Sequence, residues 1–385
     1  MNPPAAAKRN TSVLVSGASV AGITAAYWLN HHGFDVTVVE LAPALRPGGQ
    51  AIDVRGPALD IAERMGVLDA VRSRSTGLRG MTVEDRDNNE TFRTNEVTLS
   101  GGTIASPDVE IMRDELIAIL HQTTADSVEY LFDDSVTGIR QDEDAVHVTF
   151  RNSAPRTFDL VVGADGLHSV VRRLVFGPEE QFTRSTVGNR YIALISIPNF
   201  LDLDRWELIH RSENGHWGGV MPVRDNTELR VFVIFLADEP LTYDYRDSEQ
   251  QKQIVTDHLS GEGWKFPQIL DYLKDTSGFH FQAMDQIHMD TWSQGRVALV
   301  GDAGFCPSPV SGQSVTVAMV SGYVLAGELA AAAGDHRAAF AGYQDELRGY
   351  VADNQELAVT YLAKALADDF EDFGKPVDGL VLKTY

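Results

Sequence analysis

The sequence predicts an α/β protein: a Rossmann-like nucleotide-binding domain, interrupted by a mostly antiparallel β-sheet domain and followed by a C-terminal helical segment. Three observations carry this expectation. A strand–glycine turn–helix–strand unit occupies Ser12–Glu40, alternating aromatic-rich strands run from Tyr191 to Leu236, and buried-strand and helix patterning returns from Arg296 onward. By these signals the first domain takes residues 1–75, 101–178 and 283–335, the sheet domain 76–100 and 179–282, and the terminal helices 336–385.

In the first unit Val13-Leu14-Val15 is an apolar strand, Gly17-Ala18-Ser19-Val20-Ala21-Gly22 the turn, Ile23–His31 a helix and Phe34–Val39 a second strand closed by Glu40. Gly17 permits the tight turn and Gly22 close packing of helix on strand. Ser19, Val20 and Ala21 fall where backbone meets a pyrophosphate at a helix N-terminus, and Glu40 where a carboxylate takes the ribose hydroxyls of an adenine dinucleotide. Ser19 in place of the middle glycine crowds that approach slightly. The same strand–Ser–helix layout occurs in a hydrolase nucleophile elbow, but there several strands precede the Ser, and here only one does.

Further along, Pro57–Met65 has helical spacing and stops at Gly66. Met81–Glu84 and Thr91–Thr94 form a hairpin. Its turn places Asp85, Asp87, Asn89 and Glu96 like calcium-loop ligands, but Glu90 replaces the obligatory glycine and no helices flank it, so a solvated turn is expected. Met112–Thr123 reads as a helix; Val128–Phe132, Val136–Arg140, Val146–Phe150 and Asp159–Val162 read as strands, the last breaking at Gly163-Ala164-Asp165-Gly166. In the sheet domain Tyr191–Ile197, Trp206–His210, Trp217–Pro222 and Leu229–Leu236 alternate as half-buried strands. Helices at Gln251–His258 and Pro267–Leu273 follow, and Phe279–Met284 leads back. Val297–Val300 is a buried strand ended by Gly301-Asp302, then a Pro- and Gly-containing loop, a helix at Val315–Leu329, and helical pattern at Ser321–Ala333 and Ala338–Ala367. Asp302 at the strand tip suits the hydroxyls of a ribityl or ribose chain, and the helix start at Gly312-Gln313 offers free N–H groups and a positive dipole end to an anion.

Composition narrows the partners. Of the 385 residues, 43% are hydrophobic and 23% charged, ordinary for a globular enzyme. The 32 basic and 55 acidic residues give a net charge of −23, which argues against nucleic-acid and anionic-membrane partners. One cysteine, Cys306, leaves no internal disulfide framework and fits a reducing compartment. The start MNPPAAAKRN lacks a long apolar run, and no segment is read as membrane-spanning, so the expected location is the cytoplasm. None of the 11 histidines has metal-site spacing.

Three ordered segments together resemble the group A, single-component FAD-dependent aromatic monooxygenases, which share the fold of para-hydroxybenzoate hydroxylase. They are Gly17–Gly22 with Glu40; the run Gly163–Arg172, similar to the family's A-D-G-x-x-S-x-x-R; and Gly301-Asp302-Ala303 with Pro309, Gly312 and Gln313. Length and the long terminal helix resemble the tetracycline-inactivating subgroup. The resemblance implies that Glu40 holds the adenosine ribose, Asp302 the ribityl chain, and that Arg113 reaches FAD. It also implies that Asp165 serves both FAD and NADPH binding and that Arg46 and Gly48–Arg55 match the loop over the flavin ring, with Asp53 a candidate flavin or substrate contact. The family's usual G-D-A-A-H is Gly301-Asp302-Ala303-Gly304-Phe305 here, its G-Q-G is Gly312-Gln313-Ser314, and its later Asn is Thr316.

The implied chemistry is that of the cofactor: NADPH or NADH reduces FAD, O2 adds at the flavin C4a carbon, and the hydroperoxide passes one oxygen to an electron-rich ring. No side chain is assigned an acid–base role, and Cys306 reads as pocket wall, since no activating partner is evident. Tyr191, Trp217, Arg230 and Pro309 are the candidate substrate contacts, for an aromatic or polycyclic small molecule such as a tetracycline. A polyketide, rifamycin or phenol hydroxylase, or a flavin-dependent reductase or dehydrogenase of the same fold, is the alternative. Monomer and homodimer are both compatible with the sequence.

Overall fold

The computed structural model describes residues 11–46, 48–366, 377 and 380–385. Short β-branched runs that end in glycine, each needing cover on both faces, give a parallel sheet. Its order is Ser293–Gln294, Val297–Leu299, Leu160–Gly163, Ser12–Ser16, Asp35–Val39 and Glu129–Leu131. All neighbours are parallel except the first pair. Ser12–Ser16 is central, so the turn after it emerges at the middle of the sheet, where ligands bind in open α/β folds. Helix Val20–His31 covers one face and packs on helix Ser314–Ala331.

Ser314–Ala331 is a core helix. By length and composition it can cross a membrane, with mean hydropathy 1.4, but 72% of it is buried inside the protein, the condition of a core helix. Its apolar residues contact other helices instead of lipid.

The second sheet has seven strands in the order Phe279–Ala283, Arg190–Pro198, Glu228–Leu236, Trp217–Val223, Trp206–Arg211, Gly80–Glu84 and Glu90–Thr94. It is antiparallel except where Trp206–Arg211 runs parallel to Gly80–Glu84. Successive side chains alternate faces. Tyr191, Ala193, Ile195, Val231, Val233 and Phe235 pack against helices Ser248–Leu259 and Phe266–Leu273. Ile192, Leu194, Phe232 and Ile234 turn the other way, toward the nucleotide domain. The hairpin turn is the expected solvated one: the Asp85 carboxylate accepts from the N–H groups of Asp87 at 2.9 Å and Asn89 at 2.8 Å.

Several short strands escaped the pattern reading, Ala51–Val54 and Val109–Met112 among them. Ala51–Val54, expected as loop, pairs antiparallel with Val109–Met112, and the following helix starts at Arg113 instead of Met112. Four-residue runs are too short to show a period, and the partner lies far away in sequence. Helix Leu68–Ser73 was likewise not visible. The terminal helix runs His336–Leu366; its expected end, Ala367, lies outside the described residues.

Candidate active site

One cavity of about 1580 Å³ runs between the two sheets, from Ser19, Val20 and Ala21 past Asp302, Pro309 and Gly312 to Trp217, Phe232 and Leu362. At its first end the backbone dictates the residues. Gly17 has φ of 109°, and a Cβ there would lie 2.6 Å from the Ala164 carbonyl oxygen. At Gly22 a Cβ would lie 1.9 Å from the Gly17 carbonyl, so neither position tolerates a side chain. The Ser19 hydroxyl donates to the Ala164 carbonyl at 3.0 Å and accepts from the Gly22 N–H at 3.3 Å. It is a helix N-cap, which disposes of the hydrolase alternative. Glu40 accepts from the N–H groups of Ala18 at 2.8 Å and Ala42 at 2.9 Å, placing its carboxylate beside the turn. Arg46 lies 3.8 Å from Glu40 and is mostly exposed. Arg113 lines the cavity beneath Gly49, and burial lowers its pKa. Among the described residues it forms no ion pair, so an anion in the cavity would find a poorly compensated cation there.

The middle of the cavity contains unmet polar groups. Asp302 opens the short helix Asp302–Phe305; its Oδ1 is buried without a hydrogen-bond partner. Burial pushes its carboxyl up to about 6, opposed in part by the Cys306 thiol. Gln313 is wholly buried, and both its amide oxygen and nitrogen lack partners. Buried polar atoms are rarely left unpaired, so these fit a cofactor rich in hydroxyl and carbonyl groups, as the ribityl–flavin part of FAD is. Cys306 has its own pKa pushed well up, foremost by burial, and remains a neutral thiol in the wall.

Asp165 does not line the cavity, although Ala164 and Gly166 do. Its carboxylate accepts from the Ser169 hydroxyl and from the N–H groups of Val170 at 2.8 Å and Val171 at 3.0 Å. It therefore organises the loop and the start of helix Val170–Val175. Arg172 has a fully buried guanidinium that donates to the Leu167 and Ala303 carbonyls and pairs with Glu179 at 2.9 Å. The residue type was legible in the motif; its tie to the Asp302 segment was not.

At the far end, cross-strand rows form the floor. Ile192, Ile234 and Trp217 make one, and Leu194, Phe232 and Gly219 the next. A Cβ on Gly219 would lie 1.9 Å from the Phe232 ring, so the ring covers the glycine and leaves a flat apolar floor. Leu362 and Ala365 of the terminal helix close it from the opposite side. Trp217 and Pro309 line this cavity as expected candidates. The other two candidates are engaged by the protein itself. Tyr191 faces the helices, stacks on Phe281 at 5.7 Å and accepts from the Leu241 N–H at 2.7 Å. Arg230 borders the cavity, but its Nε donates to the Gly49 carbonyl at 2.8 Å and it pairs with Glu228 at 2.7 Å. It fastens the loop before Ala51 to the sheet. Asp53 also lines the cavity, paired with Arg55 at 2.8 Å, and buried Glu207 lies nearby. Glu207 was missed; a lone acid within the apolar strand run Trp206–Arg211 was the available signal.

These features define an FAD-binding oxidoreductase. The chain belongs to the FAD binding domain family, whose model matches residues 10–353, and within it to the group A flavin-dependent monooxygenases, close to the tetracycline-inactivating subgroup. It is 39% identical to a flavin-dependent monooxygenase of an unknown prokaryotic organism, over 93% of this chain and 91% of that protein. It is 50% identical to an uncharacterized protein of Mycobacterium tuberculosis (strain ATCC 25618 / H37Rv), over 97% and 100% of the two chains. Among solved structures, tetracycline destructase Tet(51) matches with TM-score 0.86 at 30% identity, covering 98% and 100% of the chains. Tetracycline destructase Tet(55) matches with TM-score 0.85 at 34% identity, covering 97% and 99%.

Proposed function

We propose that this monooxygenase uses NADPH or NADH and O2 to hydroxylate a fused-ring phenolic or enolic compound of the tetracycline type in the cytoplasm. The observation that carries this reading is the continuity of the cavity, about 1580 Å³, from the glycine turn to Trp217 and Phe232. A drug-sized ligand site measures roughly 300–1,000 Å³, so there is room for both an extended dinucleotide and a polycyclic substrate.

FAD, when bound, supplies the redox chemistry that makes O2 an oxygen donor. Glu40 and the Gly17–Gly22 turn are suited to its adenosine and pyrophosphate end, and Asp302 with Gln313 to its ribityl and ring end. The protein excludes water with Leu362, Met284 and Val310 and orients the substrate on the flat floor over Gly219. Stacking on Trp217 is worth about 0.5–1.5 kcal/mol beyond burial for a flat ring. An electrophilic oxygen demands an electron-rich carbon, which a phenol or enol offers. Likeness to the tetracycline destructases supports the fused-ring choice.

The test is a panel of tetracyclines, rifamycins and simple phenols incubated with enzyme, NADPH and isotopically labelled O2. A product heavier by one labelled oxygen from the fused-ring members is expected. NADPH oxidation without label in any product would make the protein a reductase, and labelled product from monocyclic phenols alone would reject the fused-ring reading.

A further inference from the structure

Asp53 and Glu110 are direct partners on the ladder of Ala51–Val54 with Val109–Met112, so their carboxyls project from the same side of a two-stranded ribbon. A third acid reaches them from the seven-stranded sheet. Glu207 accepts from the N–H groups of Leu99 at 2.7 Å and Ser100 at 3.3 Å, and it feels the charge of Glu110. Asp53 is 7% exposed and Glu207 1%. Arg55 is the cation beside them, 2.8 Å from Asp53, and Asp108 adds a further negative charge nearby. Carboxyls grouped around one guanidinium away from water cannot all ionise, so the cluster retains protons at neutral pH.

The cluster also separates two cavities. Asp53, Ser100 and Glu207 line the large one. Glu110, Thr76 and Asp108 line a second, of about 390 Å³, whose wall includes the exposed residues Arg72, Thr103 and Ile104. The turn Thr98–Gly101 is the partition, with Glu110 Oε1 3.3 Å from where a Cβ on Gly101 would stand. Asp53 Oδ1, Ser100 Oγ and Glu110 Oε1 are all buried without a hydrogen-bond partner. The Ser100 hydroxyl stands beside both glutamates and favours the ionised form of each, so it can turn to either.

We propose that Asp53, Glu207, Ser100 and Glu110 form a proton relay between the large cavity and the solvent-facing small one. The proposal rests on the hydroxylase reading and adds a route for the substrate's proton. An acidic O–H of the substrate gives its proton to the Asp53 carboxylate, and Glu110 gives its own proton to water in the small cavity. The Asp53 proton then crosses to Glu110, directly or over the Ser100 hydroxyl, while Glu207 shares the charge. One O–H bond breaks and one forms at each transfer; the net change is one proton from substrate to water, and no electrons move. Loss of that proton leaves the ring more electron-rich. Burial, partly opposed by Arg55, raises Asp53 to about 7. Glu207, raised by burial and by Glu110, reaches about 8.

The test uses the full FAD-loaded chain with Glu110→Gln, Ser100→Ala and the conservative Glu110→Asp, together with infrared spectra of the cofactor-free protein. A protonated-carboxyl carbonyl band is expected at neutral pH, diminished in Glu207→Gln, with its deuterium exchange slowed about tenfold in Glu110→Gln. Turnover should fall at least about tenfold in Glu110→Gln and Ser100→Ala at unchanged KM. The pH profile should be displaced, and Glu110→Asp should recover most of the rate. No such band, or exchange as fast in Glu110→Gln as in the parent, overturns the relay. Unaltered turnover and pH profile in both Glu110→Gln and Ser100→Ala overturn it too. If the parent protein oxygenates nothing, the hydroxylase reading fails, and the exchange measurement alone decides the relay.

Discussion

The buried guanidinium of Arg172 donates to the carbonyl of Ala303 at 2.9 Å, so the residue that ends the Gly163–Arg172 segment fixes the backbone directly after Asp302. Two motifs far apart in sequence thereby become one rigid shelf beside the cavity. Arg172→Ala should leave the Ala303 and Leu167 carbonyls without this donor and Glu179 with His168 alone, and cost about 2–4 kcal/mol of stability. Lysine should rescue little of this, because it lacks the planar fork that reaches several acceptors at once. Urea unfolding of the three proteins measures it, and equal midpoints would refute the bridging role.

Asp302 offers a buried oxygen without a protein partner, so its value should emerge on cofactor binding. Asp302→Ala should weaken FAD retention by about 1.5–3 kcal/mol, some ten- to hundredfold, because a hydrogen bond to a charged acceptor is lost. Fluorescence titration of apoprotein with FAD gives the constant. The same measurement with FMN should show much weaker binding, since the Gly17–Gly22 and Glu40 end would then be unused.

The pH dependence of the cofactor-free protein follows from the raised carboxyls. Burial pushes Asp302 up to about 6, Asp53 to about 7 and Glu207 to about 8. A group whose folded pKa is raised contributes stability that is complete below the unfolded carboxylate range and is lost as pH rises through the folded value. Stability should therefore decline from weakly acidic pH up to about 8. Glu207→Gln keeps the shape and cannot ionise, so it should flatten the upper part of that decline. Identical slopes in chemical unfolding across this window would contradict the assignment.

Gly219 decides the depth of the substrate floor. Alanine there would push its Cβ into the Phe232 ring and tilt the ring into the cavity. Gly219→Ala should raise KM for a fused-ring substrate at least about tenfold, the scale of 1–3 kcal/mol seen for small steric changes in apolar pockets. FAD affinity should stay unchanged, since the residue is remote from the dinucleotide end. An unaltered KM would place the substrate elsewhere.

The sequence by itself determined the nucleotide fold and much of its ligand chemistry. Gly17, Gly22, Glu40 and Asp302 each sit in contiguous strand–turn–helix geometry, where residue type and spacing are tightly coupled to backbone shape. Strands such as Arg190–Pro198 and Glu228–Leu236 were also legible from alternation. Only the tertiary structure decided which way their side chains look. This sheet has helices on one face and the cavity on the other, so both alternating sets are apolar and period two cannot tell Tyr191 from Ile192. The same limit hid the engagement of Arg230 with Gly49, the pairing of Asp53 with Glu110 and the approach of Glu207. Each joins residues distant along the chain, and such contacts are set by how whole elements pack.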